Sequence, residues 1–488
     1  MQLPARSFFL LAALALAAGF GNGLAHAAER PNFLVILCDD LGYGDLACYG
    51  NPTIKTPHLD KLASQGFRFT DCYSTAPVCS SSRAGLLSGR TPSRVGVYDW
   101  IPEGHPMHLA DSEITIAELL RDAGYATCQV GKWHCNGKFN SPDQPQPGDQ
   151  GFEYWFATQN NASPSHHNPS NFVRNGEGVG AIEGYSCQIV ADEAIRWLKS
   201  GRNPKKPFFQ FVCFHEPHEP IASPPDLVEQ YPQATKFGEA QYYANVANMD
   251  KAVGRLMAAL DEQHLAENTL VFFTSDNGPE TLNRYRGAAR SHGSPGPLRG
   301  MKLHLYEAGM RVCGIMRFPG HTTPGKVVAE PVCALDLLPT FCALAGVKPP
   351  TDRALDGADL SAVFQDEAVK RATPLYWHYF KSIGPPKAAM RIGDYMVLGH
   401  WDAQELQAGS SVRLGDMEII KRAKLVKFEL YNLRDDLAEK RDLAEVEPER
   451  LQKMAAQLQA KYAEVQAEGP VWTIEKKAAP QGKKPAGK

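Results

Sequence analysis

Phe33-Leu34-Val35-Ile36-Leu37-Cys38 is an unbroken apolar run of strand length that stops abruptly at Asp39-Asp40. A run without polar alternation is a strand covered on both faces, as in the parallel sheet of an α/β protein. Three further segments repeat the pattern. Ala126 to Val130 ends in Gly131-Lys132-Trp133-His134, Phe208 to Phe214 ends in His215-Glu216-Pro217-His218, and Thr269 to Thr274 ends in Ser275-Asp276-Asn277-Gly278. Between them lie helical patterns, Thr115 to Ala123 closed by Gly124, Ser186 to Leu198 and Tyr242 to Leu260. This alternation predicts an α/β fold: a large mixed, mostly parallel sheet sandwiched by helices. Ligands of such sheets bind at the carboxyl ends of the strands, where all four polar clusters fall.

The whole chain fits that reading. Its 488 residues are 43% hydrophobic and 22% charged, enough to bury a large core, and 51 Lys plus Arg against 54 Asp plus Glu leave a formal charge of −3. That balance lacks the basic excess of a nucleic-acid or anionic-membrane binder, so any anion site is local. The first residues read as an export signal. Arg6 is followed by the apolar run Phe8 to Ala18, and Ala25-His26-Ala27 places the cleavage after Ala27. No later stretch approaches the roughly 18 apolar residues of a membrane span, so a periplasmic or secreted protein is expected. Most of the 11 Cys sit in apolar runs (Cys38, Cys128, Cys213, Cys313, Cys333 and Cys342), which predicts buried thiols even in an oxidising compartment.

Near Gly346 the texture changes, and Pro349-Pro350 breaks the chain. The expected organisation is a signal over 1–27, a catalytic domain over 28–346 and a smaller carboxy-terminal α+β domain over 347–466. Within the latter, short strands at Tyr395 to Leu398 and Phe428 to Tyr431 precede a charged helix at about Glu447 to Gln466. The basic tail over 467–488 is expected to be disordered. Residues 141–185, rich in Pro, Asn and Gly, read as a loop region beside the site. There Asn160, His166 and His167 are candidates for ligand contacts, and Asn161-Ala162-Ser163 matches a glycosylation sequon.

Asp39, Asp40, Asp276 and Asn277 offer hard oxygen ligands, suited to calcium or magnesium. Lys132, His134, His218 and Lys302 add positive charge and proton carriers, which beside a metal suit an anionic ester. The segment Cys79-Ser80-Ser81-Ser82-Arg83 through Gly89-Arg90 reads as a Ser-rich turn into a helix beginning near Arg83. A helix start favours anions and depresses a thiol pKa, so Cys79 occupies a sensible position for a reactive group.

In this combination and order the chain resembles the type I sulfatase family of the alkaline-phosphatase-like superfamily, from Pro31-Asn32-Phe33 to about Tyr431-Asn432-Leu433. Cys79, Ser82, Arg83, Gly89 and Arg90 match the family signature, and Gly124-Tyr125 through His134 match its second motif. His215 to His218, Ser275 to Gly278, Leu298 to Lys302, Leu305 to Val312 and Asp336 to Thr340 follow in order. The resemblance implies an arylsulfatase-like sulfuric ester hydrolase acting on an organic sulfate such as a sulfated glycan. It implies that Cys79 is oxidised to formylglycine (3-oxoalanine) by a maturation enzyme. One calcium ion, with magnesium as the alternative, would be held by Asp39, Asp40, Asp276, Asn277 and the Cys79-derived oxygen. Arg83, with the metal, would polarise one hydroxyl of the hydrate, Lys132 and Lys302 would neutralise the sulfate oxygens, His218 would protonate the leaving alcohol and His134 would act as base. Ser81 departs from the family, which has Pro or less often Ala there, and Ala308 replaces a usual Gly. The competing readings are a phosphatase or phosphodiesterase on the same scaffold, which favours a Ser or Thr nucleophile and two metals, and a non-catalytic binder of sulfated glycans carrying unconverted Cys79.

Overall fold

The computed structural model describes residues 30–474, so the expected export signal, its expected cleavage after Ala27 and the part of the expected tail beyond Ile474 lie outside the described residues. The near part of that tail is held in place, Tyr98 Oη donating to Pro470 O at 2.6 Å and Trp472 Nε1 to Gly96 O at 2.7 Å. The large sheet contains β1 (Asn32–Asp39), β2 (Phe67–Tyr73), β3 (Ala126–Lys132), β4 (Tyr154–Thr158), β5 (Val173–Arg174), β6 (Glu177–Gly178), β7 (Phe208–Pro217), β8 (Thr269–Ser275), β9 (Arg311–Arg317), β10 (Lys326–Val328) and β11 (Val332–Cys333). Its spatial order is β10-β2-β9-β8-β1-β7-β3-β4-β5-β6, with β11 beside β2. The central block β8-β1-β7-β3-β4 is wholly parallel. β9 runs against both of its neighbours, β8 and β2.

The apolar runs behave as two-sided strands. Phe33, Val35 and Leu37 enter one core, whereas Leu34, Ile36 and Cys38 enter the other. On the Leu34 side lie the helices Ser186–Arg196 and Glu239–Glu262, which contribute Ile189, Val190, Val246, Met249 and Leu256. The helices Ile116–Asp122 and Leu337–Ala345 cover the Phe33 side, where Phe33 stacks on Phe341 with ring centroids 4.2 Å apart. Thr115 caps the first of these in a reciprocal capping box with Glu118, which satisfies two backbone donors the helix start leaves over.

A second sheet, β12 (Leu375–His378), β13 (Pro386–Ile392), β14 (Tyr395–Trp401) and β15 (Leu425–Asn432), is antiparallel in that order. The helix Pro448–Glu468 packs on it through Leu458 and Val465, and these side chains continue the Phe33-side core, so the two sheets share apolar packing. Among the described residues no helix is long and apolar enough to cross a membrane. All 11 Cys are free, and ten are buried.

Two local expectations are corrected. The helix expected near Arg83 begins at Cys79 and runs to Ser88, because Val78 already holds an extended conformation and Ser82 N–H bonds Val78 O at 3.0 Å. Residues 141–185 are not all loop. β4 extends the parallel sheet beyond β3, and β5 and β6 form a short hairpin at its edge. The apolar run in β4 is only Trp155-Phe156-Ala157, too short to stand out among the turn residues around it.

Candidate active site

Chain direction explains why the polar clusters meet. The carboxyl ends of β1, β3, β7 and β8 deliver Asp39-Asp40, Lys132 with His134, His218, and Asp276-Asn277 to one edge of the sheet. β2 ends at that edge and leads into the Cys79–Ser88 helix. β9 is antiparallel, so it starts there, and Lys302, a few residues ahead of it, arrives at the same place. Gly131 and Gly278 let the backbones close in. A Cβ at Gly131 (φ +98°) would lie 1.8 Å from Cys213 O, and one at Gly278 would lie 1.7 Å from Ala308 O.

Three carboxylates and three cations interlock at this edge. Lys132 Nζ donates to Asp39 Oδ2 at 2.6 Å, and Lys302 Nζ lies 2.7 Å from Asp40 Oδ1. Fully buried Arg83 donates from Nε to Asp276 Oδ2 at 2.9 Å and from Nη1 to Lys132 O at 2.9 Å. Asn277 Nδ2 donates to Asp40 Oδ1 at 2.7 Å. Burial disfavours the charge of Asp39, but the neighbouring cations, Lys132 foremost with Arg83 and Lys302, outweigh it and hold the carboxyl well below the usual range. At Asp40 and Asp276 burial prevails, and these groups rise to about 6 and about 7.

Asp39, Asp40 and His218 can bring one ligand atom each within 4.8 Å of one another, a cluster able to hold a metal ion. Asp39 Oδ1 and Asn277 Oδ1 are buried acceptors without a donor among the described residues. Each such orphan costs on the order of 1–3 kcal/mol, and a hard cation would offset that cost. The residues present therefore fit a metal. This cluster shares Asp39 and Asp40 with the ligand set implied by the sequence and adds His218, while Asp276 Oδ2 is engaged by Arg83.

Cys79, His134, His218 and Lys302 line one pocket of about 370 Å³, together with Asn160, Trp100 and the pair Glu280 and Arg284. Burial pushes the Cys79 thiol up to about 11 in spite of Lys132 and Lys302, which corrects the expectation that the helix start lowers it. His134 lies at φ +57°, and its Nε2 is 3.1 Å from Ile101 O, whereas its buried Nδ1 has no partner. Burial, then Lys132 and Arg83, hold it well below the ordinary histidine value. His218 Nδ1 is 2.5 Å from Glu219 O, a contact that requires N–H, and Nε2 is 3.5 Å from Asp40 Oδ2. Burial and then Lys302 bring His218 down to about 3. In the free site both rings are neutral, each with one ring nitrogen engaged by a carbonyl.

A family model described as Sulfatase matches residues 31–347, and one described as N-sulphoglucosamine sulphohydrolase, C-terminal, matches residues 301–468. The chain belongs to the sulfatase family. It is 36% identical over 364 residues to N-acetylgalactosamine-6-sulfatase of Homo sapiens, covering 70% of this chain and 67% of that one. With arylsulfatase A of Homo sapiens it shares 38% identity over 375 residues, 71% of this chain and 69% of the relative. Among solved structures, Ps i-CgsB in complex with k-i-k-neocarrahexaose is similar with a TM-score of 0.77 and 27% identity, covering 91% of this chain and 95% of that chain. The PsFucS1 sulfatase from Pseudoalteromonas sp. follows with 0.74 and 25%, covering 92% of each chain. The fold is that of an α/β sulfatase with a smaller carboxy-terminal domain, and the protein is a sulfuric ester hydrolase.

Not every candidate of this sulfatase reaches the pocket. Asn160 lines it, but His166 and His167 do not. His166 is fully buried behind the site, with Nδ1 3.1 Å from Asn245 Nδ2 and 3.6 Å from Glu216 Oε1. His167 is exposed and rests its ring on Tyr185 with centroids 4.8 Å apart. The bridge His167–Tyr185 ties this segment to the residue just before the helix Ser186–Arg196. Glu280 and Arg284 escaped sequence reading, although a buried acid four residues before an Arg, just after Ser275-Asp276-Asn277-Gly278, is a signal that was available.

Proposed function

We propose that this sulfatase hydrolyses a sulfate ester on a carbohydrate, with formylglycine at position 79 as nucleophile and one divalent cation, calcium or magnesium, held by Asp39, Asp40, Asp276 and Asn277. The observation that carries the reading is the pocket lined by Cys79, Lys302, His134 and His218, in which Lys302 and His218 also reach the buried carboxylate of Asp40. Formylglycine supplies, when hydrated, one hydroxyl to attack sulfur and a second through which sulfate leaves. A thiol at about 11 is protonated at neutral pH and is a poor nucleophile itself. A cation held by these residues would supply positive charge as a Lewis acid.

The chain's own groups do the rest. Lys132 and Lys302 neutralise the sulfate oxygens, and Arg83 fixes Asp276 and the carbonyl of Lys132 so that these charges need not reorganise. Neutral His134, with its Nδ1 lone pair free, is suited to accept a proton from the position 79 side chain. His218 takes up a proton once the sulfate anion offsets Lys302, and donates it from Nε2 to the leaving oxygen. Carbohydrate specificity is supported by the names of the relatives and by Asn160, Glu280 and Arg284 in the lining, which suit sugar hydroxyls. The run Phe8 to Ala18 after Arg6, read as an export signal, supports a periplasmic or secreted location.

The reading is tested by measuring inorganic sulfate released from a panel of sulfated sugars. Release should stop on chelation and return with calcium. Turnover of aryl sulfates with no release from any sugar would contradict the carbohydrate assignment.

A further inference from the structure

Glu280 is buried and spends both oxygens on Arg284. Nε donates to Oε1 at 2.6 Å and Nη2 to Oε2 at 2.7 Å, while Lys302 Nζ lies 3.9 Å from Oε2. This engages one edge of the guanidinium. The remaining nitrogen, Nη1, lies beside Gly409, where an added Cβ would come within 2.4 Å of it. Gly409 (φ +71°) belongs to the segment over 402–415 that joins β14 to the helix Asp416–Arg422 of the small domain. That segment is anchored close to the pocket, since Lys381 Nζ donates to Ser411 O at 2.6 Å and Ser411 Oγ donates to Trp100 O at 2.7 Å. Arg284 and Gly409 both line the pocket that holds Cys79.

A guanidinium cannot shed its proton, so its free N–H groups are permanent donors. Here the paired carboxylate cancels the charge and leaves a rigid donor without net attraction for an anion. A carboxylate on the leaving group would face Glu280, whereas a hydroxyl meets the donor with no charge conflict. We propose that Arg284 is a specificity-determining residue that donates from Nη1 to a hydroxyl of a neutral leaving sugar, and that position 409 is glycine because a side chain there would displace this donor. The proposal rests on the carbohydrate reading above and names the class of sugar within it.

The test compares kcat/KM for a neutral monosaccharide sulfate with that for 4-nitrophenyl sulfate, in the wild type, Arg284→Gln and Gly409→Ala. Loss of one donor to a bound hydroxyl should lower the sugar-to-aryl ratio about tenfold in Arg284→Gln. Gly409→Ala should lower it in the same direction with Arg284 still present, which keeps the test alive if Arg284→Gln does not fold. A ratio unchanged in both variants, whether or not overall activity falls, overturns the proposal and leaves the carbohydrate reading standing. A preference of the wild type for uronic acid sulfates over neutral ones overturns it equally. A wild type that turns over the aryl ester and no sugar sulfate overturns the carbohydrate reading and this proposal together.

Discussion

His218 and His134 enter the pocket as neutral rings with opposite nitrogens engaged, Nδ1 of His218 on Glu219 O and Nε2 of His134 on Ile101 O. Their roles can therefore be separated by leaving group. His218→Ala should cut kcat/KM on sugar sulfates by about 100-fold or more, the usual worth of general acid catalysis, while nitrophenyl sulfate, whose product is stable as an anion, loses far less. Equal losses on both substrates would remove His218 from that role. Asp276 is the second informative residue, because it accepts from Arg83 and from the Asp40 amide. Asp276→Ala should lower both bound metal, measured by elemental analysis, and turnover, since it removes an oxygen ligand and leaves Arg83 buried without its partner. Unchanged metal content would take Asp276 out of the ligand set and favour the cluster of Asp39, Asp40 and His218.

The helix Cys79–Ser88 is held at its far end by the smaller domain, and this tie has a pH signature. Gly89 O accepts from the amides of Asp356 and Gly357, and Asp356 in turn accepts from Thr91 N at 2.7 Å and Arg94 Nε at 2.9 Å. Lys461 of the helix Pro448–Glu468 lies 2.8 Å from Asp356 Oδ1. Burial opposes the Asp356 charge, but Arg94 and Lys461 bring it from 3.8 down to about 2. A depressed acid stabilises the fold above its unfolded value and loses that contribution as pH falls through the folded one. Asp356→Asn should therefore cost about 2 kcal/mol or more in urea unfolding at pH 7, and the gap to wild type should narrow as pH falls from about 4 towards 2. A gap that stays constant over that range would contradict the tie. Apolar runs made β1, β3, β7 and β8 legible, because strands covered on both faces have no competing reading. The helix start at Cys79 was not legible, since Ser80-Ser81-Ser82 suits a turn as well as a first helical turn, and β4 was masked by its Pro- and Asn-rich surroundings.

At the scale of the molecule, a parallel sheet gathers strand ends at one edge, and one reversed strand, β9, brings Lys302 to join them. Cys79, Arg83, Lys132, His134, His218 and Lys302 were readable because each stands directly after a strand or within a compact motif. Arg284 and Gly409 were not, because their meeting depends on how the small domain folds back over Trp100. His166 and His167 misled for the opposite reason, since nearness in sequence to Asn160 does not carry them to the pocket. The central claim is that position 79 works as an aldehyde, and Ser81 is its natural probe. Ser81 is buried in the first helical turn, ahead of the first i to i−4 bond at Ser82 N–H, so Ser81→Pro sacrifices no helical hydrogen bond. The decisive measurement is the mass of the peptide containing residue 79, in wild type and Ser81→Pro, set against specific activity. The account predicts a species in which oxygen has replaced sulfur with the loss of two hydrogens, in a fraction that rises in Ser81→Pro in step with activity. A peptide carrying only the unmodified thiol in fully active enzyme would contradict it.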